Sequence, residues 1–145
     1  MYEFLDYQVR DVMSKPVTVE PDTTLAEVER TLEATGFNGL PIVSDRGELL
    51  GWVTSLDLLQ AFRFTPDSIL PHYDDIMSQP VSGVMSREPE TIAPRMPLTR
   101  LLERMVTSRN KSFPVVDPGE GLVGVVSRDD VMRALRKAHA GYKPA

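Results

Sequence analysis

The sequence predicts an α+β fold of α/β-like character, two β-α-β-β-α units packed with pseudo-two-fold symmetry. Three observations predict it. Residues 16–59 align with residues 89–132 without a gap, at a constant offset of 73, and ten of the 44 positions are identical. Average residue usage gives roughly two or three matches over such a span. In both copies the apolar spacing switches at the same place from helical periodicity to short Val/Ile-rich runs. Each copy then holds two such runs joined by turn residues.

Each copy opens with a short extended piece, Val17-Thr18-Val19 or Glu90-Thr91-Ile92, ended by Pro21 or Pro94. A helix follows. Leu25, Val28 and Leu32 share one face, as do Leu98, Leu101, Leu102, Met105 and Val106. Asp22 or Thr23 is the expected cap of the first helix, and Pro97 suits the first turn of the second. Gly36 and Asn110 are the expected ends. Strands are expected over 40–44 with 49–54 and over 113–117 with 122–127. Their turns are Asp45-Arg46-Gly47 and Pro118-Gly119-Glu120-Gly121. Amphipathic helices over 56–62 and 129–135 close the copies. Upstream, Val12-Met13-Ser14 recurs as Val84-Met85-Ser86, one residue out of phase with the main repeat.

The expected divisions are a first repeat over 9–64, a linker over 65–80 and a second repeat over 81–138. The linker is polar, carries Pro66, Pro71 and Pro80, and has room for a short helix over 73–77. About 55 residues bury only a marginal core, so the two copies are expected to share one globule.

Composition narrows the function. Hydrophobic residues make up 41% and charged residues 26%, which is the balance of a folded globular chain. A net charge of −5 argues against a general nucleic-acid binder, which needs a broad positive face, but allows a small basic pocket. With no cysteine, disulfides, thiolate nucleophiles and cysteine-held zinc are excluded. No apolar run approaches a membrane span, and the first residues lack a signal-peptide pattern, so no membrane insertion and a cytoplasmic location are expected. His72 and His139 sit in no metal-ligand spacing, no metal site is expected, and no Gly-rich phosphate loop or catalytic triad can be placed.

The order of these signals resembles the cystathionine-β-synthase (CBS) domain. The first copy carries Val12-Met13-Ser14, Leu40-Pro41-Ile42-Val43 and Gly51-Trp52-Val53-Thr54-Ser55-Leu56-Asp57. The second carries Val84-Met85-Ser86, Phe113-Pro114-Val115-Val116 and Gly124-Val125-Val126-Ser127-Arg128-Asp129-Asp130. The resemblance implies a tandem pair, a Bateman module, that binds an adenosine-containing ligand in clefts between its repeats and commonly dimerises. Candidate ligands are AMP, ADP, ATP, S-adenosylmethionine and NAD, with no cofactor required.

Within that resemblance the Ser/Thr-x-x-Asp segments carry the chemistry. Asp57 and Asp130 can accept hydrogen bonds from ribose hydroxyls. Thr54, Ser127 and the first-turn amides of the following helix can receive phosphate. The competing reading makes Thr54 and Ser127 helix caps, with Asp57 and Asp130 in the favoured acidic first turn. The family pattern implies one cleft combining Thr54 and Asp57 with Met85, Glu90, Asn110 and Lys111. The other combines Ser127, Arg128 and Asp130 with Val17, Phe37 and Asn38. Phe37 suits either adenine packing or the core. Arg128, Arg109 and Lys111 are the candidate phosphate cations. Glu90 departs from the family's small or apolar residue, and in a cleft it would repel phosphate.

The expectation is a regulatory nucleotide-sensing module, not an enzyme. It would be a homodimer that acts on a separate effector protein and binds no nucleic acid. The alternatives are a structural dimerisation module with degenerate clefts and, more remotely, a nucleotide hydrolase.

Overall fold

Apolar periodicity and turn chemistry set the element order. In the computed structural model, which describes residues 2–63 and 72–144, the chain forms α1 (Val9–Val12), α2 (Leu25–Thr35), β1 (Gly39–Val43), β2 (Leu49–Thr54), α3 (Ser55–Gln60) and α4 (Tyr73–Met77). The short strand β3 (Ser86–Arg87), α5 (Leu98–Ser108), β4 (Ser112–Asp117), β5 (Gly121–Ser127) and α6 (Arg128–His139) complete it. Turns of 3-10 helix precede α1, at Tyr2–Asp6, and β3, at Val81–Gly83. Pro66 and Pro71 of the expected linker lie outside the described residues.

The helix ends correct three expectations. Thr24 caps α2, its hydroxyl accepting the Glu27 amide at 3.2 Å, because the cap must directly precede the buried Leu25. Thr23 instead accepts the Glu20 amide at 3.0 Å. Pro97 is the N-cap of α5 rather than a residue of its first turn. Gly36 closes α2 in the left-handed region at φ 70°, as expected, but α5 closes on Arg109 at φ 63°, not on Asn110. The repeat therefore places a residue with a Cβ where its twin has glycine, at a cost of about 1 kcal/mol.

Both hairpins are antiparallel and in the same register. Gly39 pairs with Thr54, and Ser112 with Ser127. Both slip at equivalent places, Ile42/Val43 and Val115/Val116. The expected leading strands shrink to single parallel bridges, Val19 to Ile42 and Ile92 to Val115. Proline explains this. The Val19 amide donates to the Pro41 carbonyl at 3.1 Å, and the Val43 amide to the Val19 carbonyl at 2.9 Å. The next rung would need an N–H on Pro41, which proline lacks. Pro114 ends the second copy's ladder in the same way, with Ile92 and Val116 in the equivalent bonds.

The chain forms two compact units, and their boundaries interleave with the repeats. A terminal unit combines Met1–Pro16 with Glu90–Ala145, and a central unit spans Val17–Pro89. In the central unit β3 pairs with β2, adding a strand to the β1–β2 hairpin. In the terminal unit Ser14 bridges Val125 on β5 in the same way. Each Val-Met-Ser element lies over a glycine. A Cβ on Gly124 would meet the Met13 sulfur at 2.6 Å, and one on Gly51 the Met85 sulfur at 2.7 Å.

The cores follow the same division. Leu25, Val28, Leu40, Ile42, Val53 and Val81 are fully buried in the central unit. Phe4, Tyr7 and Val9, from the N-terminal segment, join Ile92, Leu98, Leu101, Phe113, Val115 and Val126 in the terminal unit. Phe4→Ala should therefore destabilise the terminal unit by about 3–5 kcal/mol although Phe4 lies outside both sequence repeats. Gly124→Ala should lower stability by about 1–3 kcal/mol, while Gly83→Ala, whose Cβ meets nothing within 4 Å, should not. Urea unfolding of the three variants checks both statements.

Candidate functional site

In each unit the second strand of the hairpin runs directly into a helix, β2 into α3 and β5 into α6. The turning residues, Thr54 and Ser127, have nearly equal backbone angles, φ −123° and −121°. Both corners are capping boxes. The Thr54 amide and hydroxyl donate to Asp57 Oδ2 at 2.8 and 3.2 Å, and the Asp57 amide donates back to Thr54 Oγ1 at 3.4 Å. Ser127 repeats this with Asp130 at 2.8, 3.1 and 3.3 Å. The capping role is thus real, and it fixes both carboxylates before any ligand arrives.

The corners differ beyond the box. Asp130 is buried, with 5% of its surface exposed, and its Oδ1 accepts from Arg133 Nη1 at 3.1 Å. Asp57 is only partly buried. The Asp130–Arg133 pair went unpredicted, though its i, i+3 spacing on α6 was a signal for it.

The residues ahead of β4 come together with the Ser127 corner. The Arg128 amide donates to the Lys111 carbonyl at 2.9 Å. The Arg128 guanidinium donates to the carbonyls of Arg109, at 2.6 Å, and Asn110, at 3.3 Å. Two expectations change. The amides of Arg128 and Asp130 are already engaged, which weakens the case for phosphate capture by the first turn of α6. Arg128 also holds the strained close of α5 with two of its donors. Asn110 and Lys111 are exposed at this turn.

In the central unit, Phe37 is partly buried and packs against the core, its amide held by Thr35 Oγ1 at 3.2 Å. Asn38 is exposed, and so is Val17, just outside the rung that Pro41 cannot form. Glu90 is not a bare charge. It makes a two-pronged pair with Arg104, at 2.7 and 2.8 Å, so the expected repulsion of phosphate is offset. Among the described residues no group of three or more histidine or acidic side chains could hold a metal, and no helix is long and apolar enough to cross a membrane.

Twin helix-hairpin-helix arrays, each with a capped Ser/Thr-x-x-Asp corner before its last helix, define a tandem CBS pair. The chain belongs to the CBS-domain family, whose profile matches residues 9–63 and 81–137. It is 34% identical over 131 residues to inosine-5'-monophosphate dehydrogenase of Escherichia coli, covering 89% of this chain but 24% of the dehydrogenase. The chain thus spans about a quarter of that relative's length. Among solved structures it resembles CBSX2 of Arabidopsis thaliana in complex with AMP, at 24% identity and a TM-score of 0.77, covering 92% of this chain and 98% of that one. It also resembles the CBS domain pair of protein MJ0100 in complex with 5'-methylthioadenosine and S-adenosylmethionine, at 26% identity and a TM-score of 0.74, covering 91% and 98%.

The corners make a stability prediction. Asp130→Ala removes a capping box and strips Arg133 of a buried partner, and should lower stability by about 2–3 kcal/mol. Asp57→Ala removes only the box and should cost about 1 kcal/mol. Thermal or urea denaturation of the two variants tests this order.

Proposed function

We propose that the chain is a regulatory module that binds an adenosine-containing ligand, catalyses no reaction and acts on a separate effector protein in the cytoplasm. One observation carries the reading. The same rigid Ser/Thr-x-x-Asp corner is built twice, hydrogen bond for hydrogen bond. Asp57 and Asp130 are the proposed ribose acceptors, with Thr54, Ser127 and Arg128 at the corners. Val17, Phe37, Asn38, Asn110 and Lys111 are the proposed base and phosphate-side residues. The AMP, 5'-methylthioadenosine and S-adenosylmethionine named for the two structural relatives support the ligand class. The match to the dehydrogenases covers a quarter of their length, so no oxidoreductase activity is proposed.

A ligand regulates only if it binds one state of the module better than another. The proposed second state involves a second copy of the chain. Val106 and Met132, 71% and 51% exposed, flank an apolar groove on α5 and α6 of the terminal unit. Leu56 and Leu59 are exposed on α3 of the central unit. Surfaces of this kind are covered in stable soluble modules. The second reading, a structural dimer with no ligand, rests on the same faces.

A thermal-shift screen separates the two readings. A ligand at 100 times its Kd stabilises the folded state by about 2.7 kcal/mol. At least one adenosine compound should raise the melting temperature, and guanosine analogues should not. Asp130→Ala should lose that rise relative to its own unliganded melting point. No rise with any adenosine compound at millimolar concentration would leave only the structural dimer. Separately, sedimentation should give twice the chain mass, and Val106→Glu should give the monomer. A monomeric parent protein would sink the dimer proposal.

A further inference from the structure

Charge divides the chain unevenly. The central unit carries twelve acidic and four basic residues, and the terminal unit nine acidic and twelve basic ones. Their net charges are therefore −8 and +3. A split of this size bears on which surfaces can meet.

The split reaches the two exposed apolar faces. The terminal groove between α5 and α6, of about 310 Å3, is lined by Leu102, Val106 and Met132 together with Arg109 and Arg128, and by no acidic residue. Both arginines keep their charge. Arg128 donates to the neutral carbonyls of Arg109 and Asn110, and neither guanidinium pairs with a carboxylate among the described residues.

In the central unit α2 packs on α3 as α5 packs on α6. The offset of 73 carries each groove position to its central twin. Leu102 and Val106 become Glu29 and Glu33, both exposed, and Arg109 and Arg128 become Gly36 and Ser55. Met132 becomes Leu59, which is apolar and exposed. Neither glutamate has an ion-pair partner among the described residues. Glu29 also borders a groove against α4 together with Arg30, which leaves Glu33 as the less compensated anion. One face is thus apolar with two cations, and its twin is apolar with two anions.

Identical copies pair about a two-fold axis, and two pairings cover both faces. Like pairing sets each face on the same face of the partner, so Glu33 meets the partner's Glu33 and Arg109 the partner's Arg109. Crossed pairing sets the terminal face of one copy on the central face of the other, and the axis repeats the contact. Either way two terminal and two central faces are covered, so apolar burial does not choose between them. Charge does, because like charges brought together in a poorly hydrated contact are costly and opposite charges are not.

We propose that two copies of the chain associate crossed, the Arg109–Arg128 groove of each terminal unit covering the Glu29–Glu33 face of the partner's central unit. The proposal rests on the dimer reading above and adds its orientation.

Cross-linking with a short bismaleimide tests it. The chain has no cysteine, so an introduced thiol is the only one present. Glu33→Cys and Val106→Cys occupy twin positions of the two faces. The two full-length variants, one carrying a mass tag, are treated separately and as a mixture, after sedimentation of the parent and both variants. Crossed pairing should link the mixture into a species of mixed mass and leave each variant alone unlinked. Charge exchange gives a second readout. Glu33→Arg and Arg109→Glu should each weaken dimerisation about tenfold, and the double variant should recover the parent's affinity. Under like pairing each cysteine variant links to itself and both single charge variants keep the parent's affinity. That result overturns the crossed orientation and leaves the dimer standing. A dimer that links in no combination, with charge variants unchanged, places the interface elsewhere and also overturns the proposal. A parent protein of single-chain mass removes the dimer reading and this orientation with it.

Discussion

A two-stranded hairpin with one apolar face is marginal in water, and each repeat supplies only one. The proline in its first long strand stops the preceding segment from pairing for more than a single bridge. The deficit is met from the other side, where a Val-Met-Ser element adds strand contacts and a methionine lies across a bare α-carbon. Gly51 and Gly124 therefore decide where the added segment can dock. The 3-10 turns and short helices leading into those elements then bring Phe4, Tyr7 and Val9, or Ile76, Met77 and Val81, into the core. Both sheets and both cores depend on that one close approach.

The strand-to-helix corners rest on the sheets so completed. A capping box aims a carboxylate with no loop between strand and helix, so a single substitution affects both folding and any ligand held there. The corners share their backbone geometry, yet their surroundings set them apart. Asp130 is buried against Arg133, whereas the equivalent neighbour of Asp57 is the uncharged Gln60. The repeat shares the shape, and the side chain one turn further along the helix supplies the difference.

Much of the fold was legible because it depends on local chemistry. Helical spacing located α2 and α5, β-branched runs and turn residues located both hairpins, and Gly36 marked a helix end through its left-handed backbone. The exchange of segments was harder to read, because nothing local says which sheet Val12-Met13-Ser14 will join. Its one trace was the one-residue phase difference from the main repeat. Of the candidate site, the Thr54–Asp57 and Ser127–Asp130 pairs were legible because the resemblance singled them out and helix-cap chemistry was the competing reading. The partners of Arg128 and Glu90 were not, because they are set by tertiary packing. The Asp130–Arg133 pair was not read either, because it is visible only when the α6 face is considered with the corner.

The interleaving of units has a mechanical side. The central unit is a continuous stretch of chain, and the terminal unit is made from the two segments that flank it. Tension applied at residues 2 and 144 therefore enters both pieces of the terminal unit and pulls them apart directly, while the middle of the chain stays unloaded until they separate. Under load the terminal unit would act as a fuse. The Tyr7–Tyr142 hydrogen bond lies where that load first arrives.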